Sequence, residues 1–401
     1  MPGYEFFGEE ERKELNDVLN TGIIMRYGFD QLRNGHWKTR ELELAIRETF
    51  GAAHAHVVAN GTAALTTALA ALKIGFGDEV IMPCFTFVAS FEAVLSVGAT
   101  PLLVDIDDSL TLDPGAVRKA ITPRTRCIMP VHMCGSMADM DALRQICKEH
   151  DLLLLEDACQ SIGATYNGKH LGTIGDAGAY SFDFVKTITC GEGGAVVTNQ
   201  PDIYLRCDAY ADHGHDHAGI DRGADQHPFL GFNYRISELH AAVGLAQIRK
   251  LSQFLSIQRR NHAILKEALR EAPGISFRTI HDPEGDSCSF LSWFLPSEEI
   301  AQEVVRELKS KNQIAGNFYW YVNNWHYIRK WDHLKQSATL NALHPDLKKE
   351  VIHHANKDFS SSDAIMSRCI STAISLSATE AQLKEKGEQL TAAIRKVTDA
   401  R

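Results

Sequence analysis

Between about residues 40 and 250, short and almost uninterrupted apolar runs alternate with stretches whose apolar residues recur at helical spacing. The runs are HAHVVAN (54–60), DEVIMP (78–83), TPLLVDI (100–106), TRCIMPVH (125–132), DLLLLEDA (151–158), AGAYSF (177–182) and GGAVVTN (193–199). A strand that is apolar on both faces needs cover on both sides. The pattern therefore predicts one large, mainly parallel, seven-stranded sheet with helices above and below it. Helices are expected over 62–73, 87–97, 114–120, 140–150 and 236–255. After about residue 256 the texture changes to longer amphipathic helices, clearest over 298–311 and 380–397, with a strand candidate in SFLSWFL (289–295). The chain reads as α/β, with a large domain over 1–255 and a smaller α+β domain over 256–401. The polar helix within the first 20 residues can pack on either, so the two ends of the chain can meet.

Composition narrows the function. In 401 residues, 41 Lys and Arg stand against 51 Asp and Glu, a net charge of −10, which lacks the basic excess of a nucleic-acid binder. No apolar run approaches the roughly 18 residues of a membrane span, and MPGYEFFGEEERKEL carries acid where a secretory signal carries base and then apolar residues. The nine cysteines are scattered, with no Cys-x-x-Cys pair, as expected for reduced thiols in a cytoplasmic protein.

Candidate chemistry gathers at strand ends. The run Leu152–Leu155 leads into Glu156-Asp157-Ala158-Cys159-Gln160, placing acids at the carboxyl end of a parallel strand, where open α/β sheets form ligand crevices. Such acids either serve a ligand or cap a helix and meet solvent. Twenty-nine residues beyond Asp157, Lys186 follows an apolar strand and precedes the glycine-rich turn Gly191-Glu192-Gly193-Gly194. A lone lysine there would snorkel to the surface. This one has Asp157 on another strand end, Ser181 five residues earlier, and glycines that allow close backbone approach. These are the parts of a pyridoxal phosphate site: a Schiff-base lysine, a carboxylate to keep the pyridine nitrogen protonated, and donors for the phosphate. Asn60-Gly61-Thr62 opens a helix directly after a strand, so its backbone N–H groups and the Thr62 hydroxyl suit an anion, although the same tripeptide also serves as a plain helix cap. Pro83-Cys84-Phe85-Thr86-Phe87 sets two aromatics at a further strand end, where one could lie on a cofactor ring or belong to the core.

Taken in order, NGTAAL, PCFTFVAS, VDID, PVHMCG-x-x-ADMDAL, EDACQSIGATYNGKHLGTIGDAGAYSF, Lys-x-x-x-x-GEGGAVVTN and GFNYRISELHAAVGLAQIRKL resemble the DegT/StrS-type sugar aminotransferases, enzymes of pyridoxal phosphate fold type I. The resemblance implies Lys186 as the Schiff-base lysine and base, Asp157 on the pyridine nitrogen, Gln160 on the ring hydroxyl and Phe87 stacked on the ring. It further implies Gly61, Thr62 and Ser181 at the phosphate, with Asn233 reaching that phosphate from a second subunit of an obligate homodimer. L-Glutamate is the implied amino donor. The long stretch MRYGFDQLRNGHWKTR, the segment ADHGHDHAGIDRGADQHPF and the aromatic NFYWYVNNWHY are similar to a subgroup that aminates the C8 aldehyde of a 3,8-dideoxy-8-oxo-manno-octulosonate, a sugar acid destined for lipopolysaccharide. A nucleotide-linked keto sugar is the alternative acceptor.

The chain departs from the family pattern at Cys134, where an aromatic is usual, and at Asp183-Phe184-Val185 before the lysine. Arg26 and Arg33 could answer a sugar carboxylate or be ordinary surface residues. His132, His213 and Trp325 are further candidates to face the sugar, and the aromatic segment suits either sugar stacking or core packing. His213-Gly214-His215-Asp216-His217 lacks the spacing of familiar histidine metal motifs, and no metal is expected. A pyridoxal phosphate lyase or sugar dehydratase and a non-catalytic sensor are the competing classes. Lysine at position 186 argues against the dehydratases of the resembled family, which carry histidine there.

Overall fold

The computed structural model describes residues 3–219 and 222–400. All seven expected strands form: β1 (His54–Val58), β2 (Glu79–Pro83), β3 (Thr100–Val104), β4 (Thr125–Ile128) and β5 (Leu153–Asp157), then, after the short ribbon β6 (Thr165–Tyr166) and β7 (Lys169–His170), β8 (Ala177–Ser181) and β9 (Gly194–Thr198). They join in the order β1-β9-β8-β5-β4-β2-β3, while β6 pairs only with β7. Pairing is parallel from β3 through β8, and β9 runs antiparallel to both of its neighbours, β8 and β1. Since β1 and β8 both oppose β9, they point the same way. The carboxyl ends of β1, β8, β5, β4 and β2 therefore share one edge.

Successive strand residues feed two different cores, as the two-residue period of a strand requires. Val58, Val80, Met82, Leu103, Leu155 and Val196 face one core with Leu65 and Leu69 of helix Gly61–Ala71 and Phe91 of helix Val88–Ser96. Val57, Ile81, Leu102, Leu154 and Val197 face the other, with Leu42 and Ile46 of helix Lys38–Phe50, Leu143 and Ile146 of helix Met140–His150, and Leu245 of helix Glu238–Arg249.

The carboxyl-terminal third builds a second, antiparallel sheet from β10 (Ser276–Phe277), β11 (Phe290–Phe294), β12 (Asn317–Phe318) and β13 (Cys369–Ala373), in the order β10-β11-β13-β12. Leu291, Trp293 and Ile370 pack there with Val304 and Leu308 of helix Glu298–Ser310 and with Leu390 and Ile394 of helix Glu380–Thr398.

The helix expected over 236–255 is two helices, Glu238–Arg249 and Leu251–Leu269, separated at Lys250. The Lys250 ammonium is held by Glu11 at 2.7 Å and by the carbonyl of Phe6 at 3.0 Å. The division expected at residue 255 falls inside helix Leu251–Leu269, whose Leu251 and Phe254 join the large-sheet core while Leu265 and Leu269 join that of the small sheet. Helix Glu9–Thr21 lies on helix Glu238–Arg249, with Glu11 accepting a hydrogen bond from Gln247 at 2.8 Å. Glu5 accepts one from Ser375 at 2.8 Å, so the two ends of the chain do meet.

Helices Leu251–Leu269 and Glu380–Thr398 approach closely because Gly387 carries no side chain: a Cβ there would sit 2.3 Å from that of Ala268. Gly387→Val should force the helices apart and cost about 1–3 kcal/mol of stability, read as a lower urea midpoint at unchanged slope.

Candidate active site

The site assembles on the shared strand edge. Gly61 begins a helix directly after β1, and its missing side chain lets the helix start approach β8: an added Cβ would stand 2.8 Å from Ser181 Cβ and 3.0 Å from its Oγ. Gly194 works in the same way, since a Cβ there would meet the Asn60 carbonyl oxygen at 2.4 Å. Asn60 Oδ1 caps the helix by accepting from the Ala63 N–H at 2.8 Å, and the first-turn N–H groups of Gly61 and Thr62 have no partner within the helix. Thr62 is exposed, so its hydroxyl is available at the same place.

The two acids ending β5 separate by strand alternation. Glu156 enters the core beneath the sheet, where the backbone N–H groups of Gly172 (2.8 Å), Ile174 (2.6 Å) and Gly175 (2.7 Å) all donate to it. Asp157 turns to the opposite face, 3% exposed, with Ser90 Oγ donating to Oδ2 at 2.7 Å and the Cys159 N–H to Oδ1 at 3.1 Å. Gln160 is 9% exposed, and its Oε1 accepts from the Cys134 N–H at 3.2 Å, which fixes the amide beside Asp157.

Lys186 is half-buried, and its ammonium has no hydrogen-bond or ion-pair partner among the described residues. Two neighbours register its charge. Burial and then Lys186 drive the His326 imidazole down to about 3, so it is neutral at physiological pH. Burial, reinforced by Asp157, pushes the Cys159 thiol well above its ordinary value, with Lys186 opposing. Phe87 is 38% exposed, with its ring centroid 5.2 Å from that of His326 and 6.3 Å from that of Trp325. The aromatic segment is stitched to the Phe87 turn: Thr86 and Val88 donate backbone hydrogen bonds to the carbonyls of His326 (2.9 Å) and Trp325 (2.8 Å). An unpaired amine, a buried carboxylate, an exposed ring and a glycine cradle of N–H donors fit pyridoxal phosphate.

Comparison with known proteins gives the same result. The family model for DegT/DnrJ/EryC1/StrS aminotransferases matches residues 7–390. The chain belongs to that family. Its fold is that of the pyridoxal phosphate-dependent aminotransferases of fold type I. Among its relatives, GDP-perosamine synthase of Vibrio cholerae is 36% identical over 306 residues, 76% of this chain and 78% of that one. GDP-perosamine synthase of Caulobacter vibrioides is 42% identical over 221 residues, 55% of this chain and 58% of its own length. The match therefore spans little more than half of the Caulobacter protein. The crystal structure of 3-amino-5-hydroxybenzoic acid synthase superposes with a TM-score of 0.80 at 30% identity, covering 98% of this chain and 97% of the other.

Not every candidate lies at this strand edge. His132 is fully buried, its Nε2 3.1 Å from Glu156 and its Nδ1 accepting from the Ala138 N–H at 3.2 Å. Both ring nitrogens are spent on the core, which corrects its assignment to the sugar. Arg26 and Arg33 are not surface residues: they are 5% and 1% exposed. Arg26 is bound to Glu43 at 2.6 Å and to the Val57 carbonyl at 3.1 Å. Arg33 bonds the Gly28 carbonyl at 2.7 Å and lies 3.5 Å from Glu238. Both guanidinia are buried and held by acceptors of the protein itself. Trp325 does flank Phe87, whereas His213 is exposed and pairs through its backbone with Phe232 at 2.9 Å, beside Asn233. Asn233 is exposed and makes no hydrogen bond to Gly61, Thr62 or Ser181 of its own chain.

Sequence reasoning left Ser90 and Thr86 without roles and gave His326 only a share in a sugar-stacking or core-packing segment. The first two stand in PCFTFVAS and the third in NFYWYVNNWHY, so the signal lay in motifs already singled out.

The histidine loop is an ionic latch. His217 bridges Asp208 at 2.7 Å and Asp212 at 2.9 Å, and Asp212 also binds Arg222 and Arg235. Despite burial, hydrogen bonds to the two carboxylates carry His217 from 6.5 up to about 9. Because the folded value is the higher one, the stabilisation is complete below pH 6.5 and disappears as pH rises through about 9. His217→Gln should therefore melt below the wild type at pH 6, with the gap closing by about pH 10 in a melting series.

Proposed function

We propose that this aminotransferase moves an amino group from L-glutamate to a carbonyl sugar, with Lys186 and Asp157 as its catalytic pair. The observation that carries the reading is the convergence on one strand edge of the unpaired Lys186 amine, the buried Asp157 carboxylate and the Gly61–Ser181 cradle. When bound there, pyridoxal phosphate supplies the electron sink for amino transfer. Ser181, Thr62 and the N–H groups at Gly61 would hold its phosphate, Phe87 would lie against its ring, Gln160 would meet the ring hydroxyl, and Asp157 would keep the ring nitrogen protonated. Lys186 would hold the cofactor covalently and, once displaced by the donor, take the proton from the donor's α-carbon. His326, held neutral by burial, would add no charge beside the ring.

For the acceptor we favour a nucleotide-linked keto sugar, supported by relatives that are GDP-perosamine synthases at 36% and 42% identity. The C8 aldehyde of an octulosonate is the second reading. What supports it is the aromatic segment similar to that subgroup, whose Trp325 and His326 lie against Phe87. The working unit is taken as a homodimer, with Asn233 serving the partner's cofactor. Support comes from Leu230, 79% exposed, and Phe232, 44% exposed, flanking Asn233, and from Phe184 and Val185, 53% and 54% exposed, preceding Lys186. Free cysteines throughout suit a cytoplasmic location.

Lys186→Ala should bind the cofactor only non-covalently and lose about a thousandfold or more in turnover. Asp157→Asn should fold normally and lose on the order of a hundredfold. Near-normal turnover in either variant would remove that residue from its role. The acceptor is identified by visible absorbance of the loaded enzyme: glutamate should abolish the cofactor band, and only the true acceptor, from a panel of GDP- and dTDP-linked keto sugars and the 8-oxo-octulosonate, should restore it. A band indifferent to every amino donor would favour the lyase class.

A further inference from the structure

We propose that Ser90 is a positioning residue for Asp157 and that Thr86 acts through Ser90, so that two buried hydroxyls set how firmly the carboxylate holds the ring-nitrogen proton. The proposal rests on the reading of Asp157 as the partner of that nitrogen.

The direction of the hydrogen bonds follows from the donor count. An ionised carboxylate can only accept, so Ser90 Oγ, 2.7 Å from Asp157 Oδ2, must donate its single hydrogen to it. Ser90 Oγ also lies 2.7 Å from Thr86 Oγ1. With its hydrogen already used, Ser90 can only accept there, and Thr86 becomes the donor. The competing acceptor for Thr86, the Phe87 carbonyl, is farther away at 3.3 Å. The chain therefore runs from the Thr86 hydroxyl to the Ser90 hydroxyl to the Asp157 carboxylate.

All three residues are out of water, at 0%, 1% and 3% exposure. Hydrogen bonds to a buried anion are charge-assisted, and each donor in a chain polarises the next. Together with the Cys159 N–H on Oδ1, Ser90 gives each carboxylate oxygen one protein donor and fixes the plane of the group. The turn carrying Thr86 is itself fixed, because its N–H bonds the His326 carbonyl at 2.9 Å. The aromatic segment of the carboxyl-terminal third thus holds the first link of a chain that ends on Asp157.

Removing the Ser90 hydroxyl raises the proton affinity of Asp157, since a donor to the charged form is lost. With pyridoxal phosphate bound, Asp157 would then hold the ring nitrogen's proton less well on the ring, so the ring would be a poorer electron sink and the loaded enzyme's absorbance would titrate at higher pH.

The test loads wild type, S90A, S90T, T86V and D157N with pyridoxal phosphate and follows visible absorbance against pH, together with kcat and KM for glutamate. S90A should titrate about one pH unit higher than wild type. Its kcat should fall about tenfold with KM nearly unchanged, as for an interaction that matters in the transition state. S90T, which keeps the hydroxyl, should restore the wild-type midpoint, and T86V should shift it in the same direction but less. An S90A midpoint and kcat equal to wild type would overturn the proposal, as would S90A and S90T variants shifted alike. If D157N moves the midpoint while S90A and T86V do not, Ser90 loses its role and the reading of the site stands. If wild type takes up no cofactor, that reading falls and this proposal falls with it.

Discussion

A strand presents successive side chains to opposite faces, and β5 ends on two consecutive acids. That constraint orders the rest of the site. Glu156 is driven under the sheet, where three backbone N–H groups and His132 satisfy it and where it anchors the Gly172–Gly175 turn. Asp157 is left on the face that helix Val88–Ser96 covers, within reach of Ser90. Two residues of one charge and similar chemistry thus have unrelated work, and register alone separates them. A slip of one residue in β5 would exchange them, leaving the longer acid at the cofactor edge and the turn at Gly172 without its acceptor.

The same logic explains why the second sheet matters to chemistry carried by the first. Phe290, Trp320, Trp331 and Met366 share a core with Val58, Met82 and Leu103, so the carboxyl-terminal third is continuous with the apolar face under the site. Through Trp325 and His326 it also supplies the wall opposite Phe87. Arg278, which follows β10, bonds the Met133 carbonyl at 3.2 Å, and the adjoining Cys134 N–H orients Gln160. Where the resembled family carries an aromatic at position 134, this chain has a small thiol, fully buried beside that arginine.

The seven strands of the large sheet were legible because each is apolar on both faces, a pattern that turns and surface helices do not mimic. Asp157, Ser181, Gly61 and Lys186 drew attention because they stand at the carboxyl ends of such runs or in the turns that follow them. Single-residue environments were not. Arg26 and Arg33 look like surface arginines until Glu43, Glu238 and the carbonyls of Met25, Gly28 and Val57 are folded around them. His132 looks free until Ala138 and Glu156 take both its nitrogens. In each case the partners lie far away in sequence or on an unpredicted turn, and periodicity says nothing about which polar groups will meet. The split at Lys250 escaped notice for a related reason, since the amine is anchored to Glu11, over two hundred residues upstream.

Helix Leu251–Leu269 begins in one core and ends in another without a break. A straight helix resists bending, so it cannot let one sheet melt while the other stays packed without withdrawing several large side chains at one of its ends. The Glu5–Ser375 bond ties the same two regions a second time. Mechanically the chain is a beam clamped at both ends. Its two sheets should lose order together, and calorimetry would see a single cooperative body in place of two separable units.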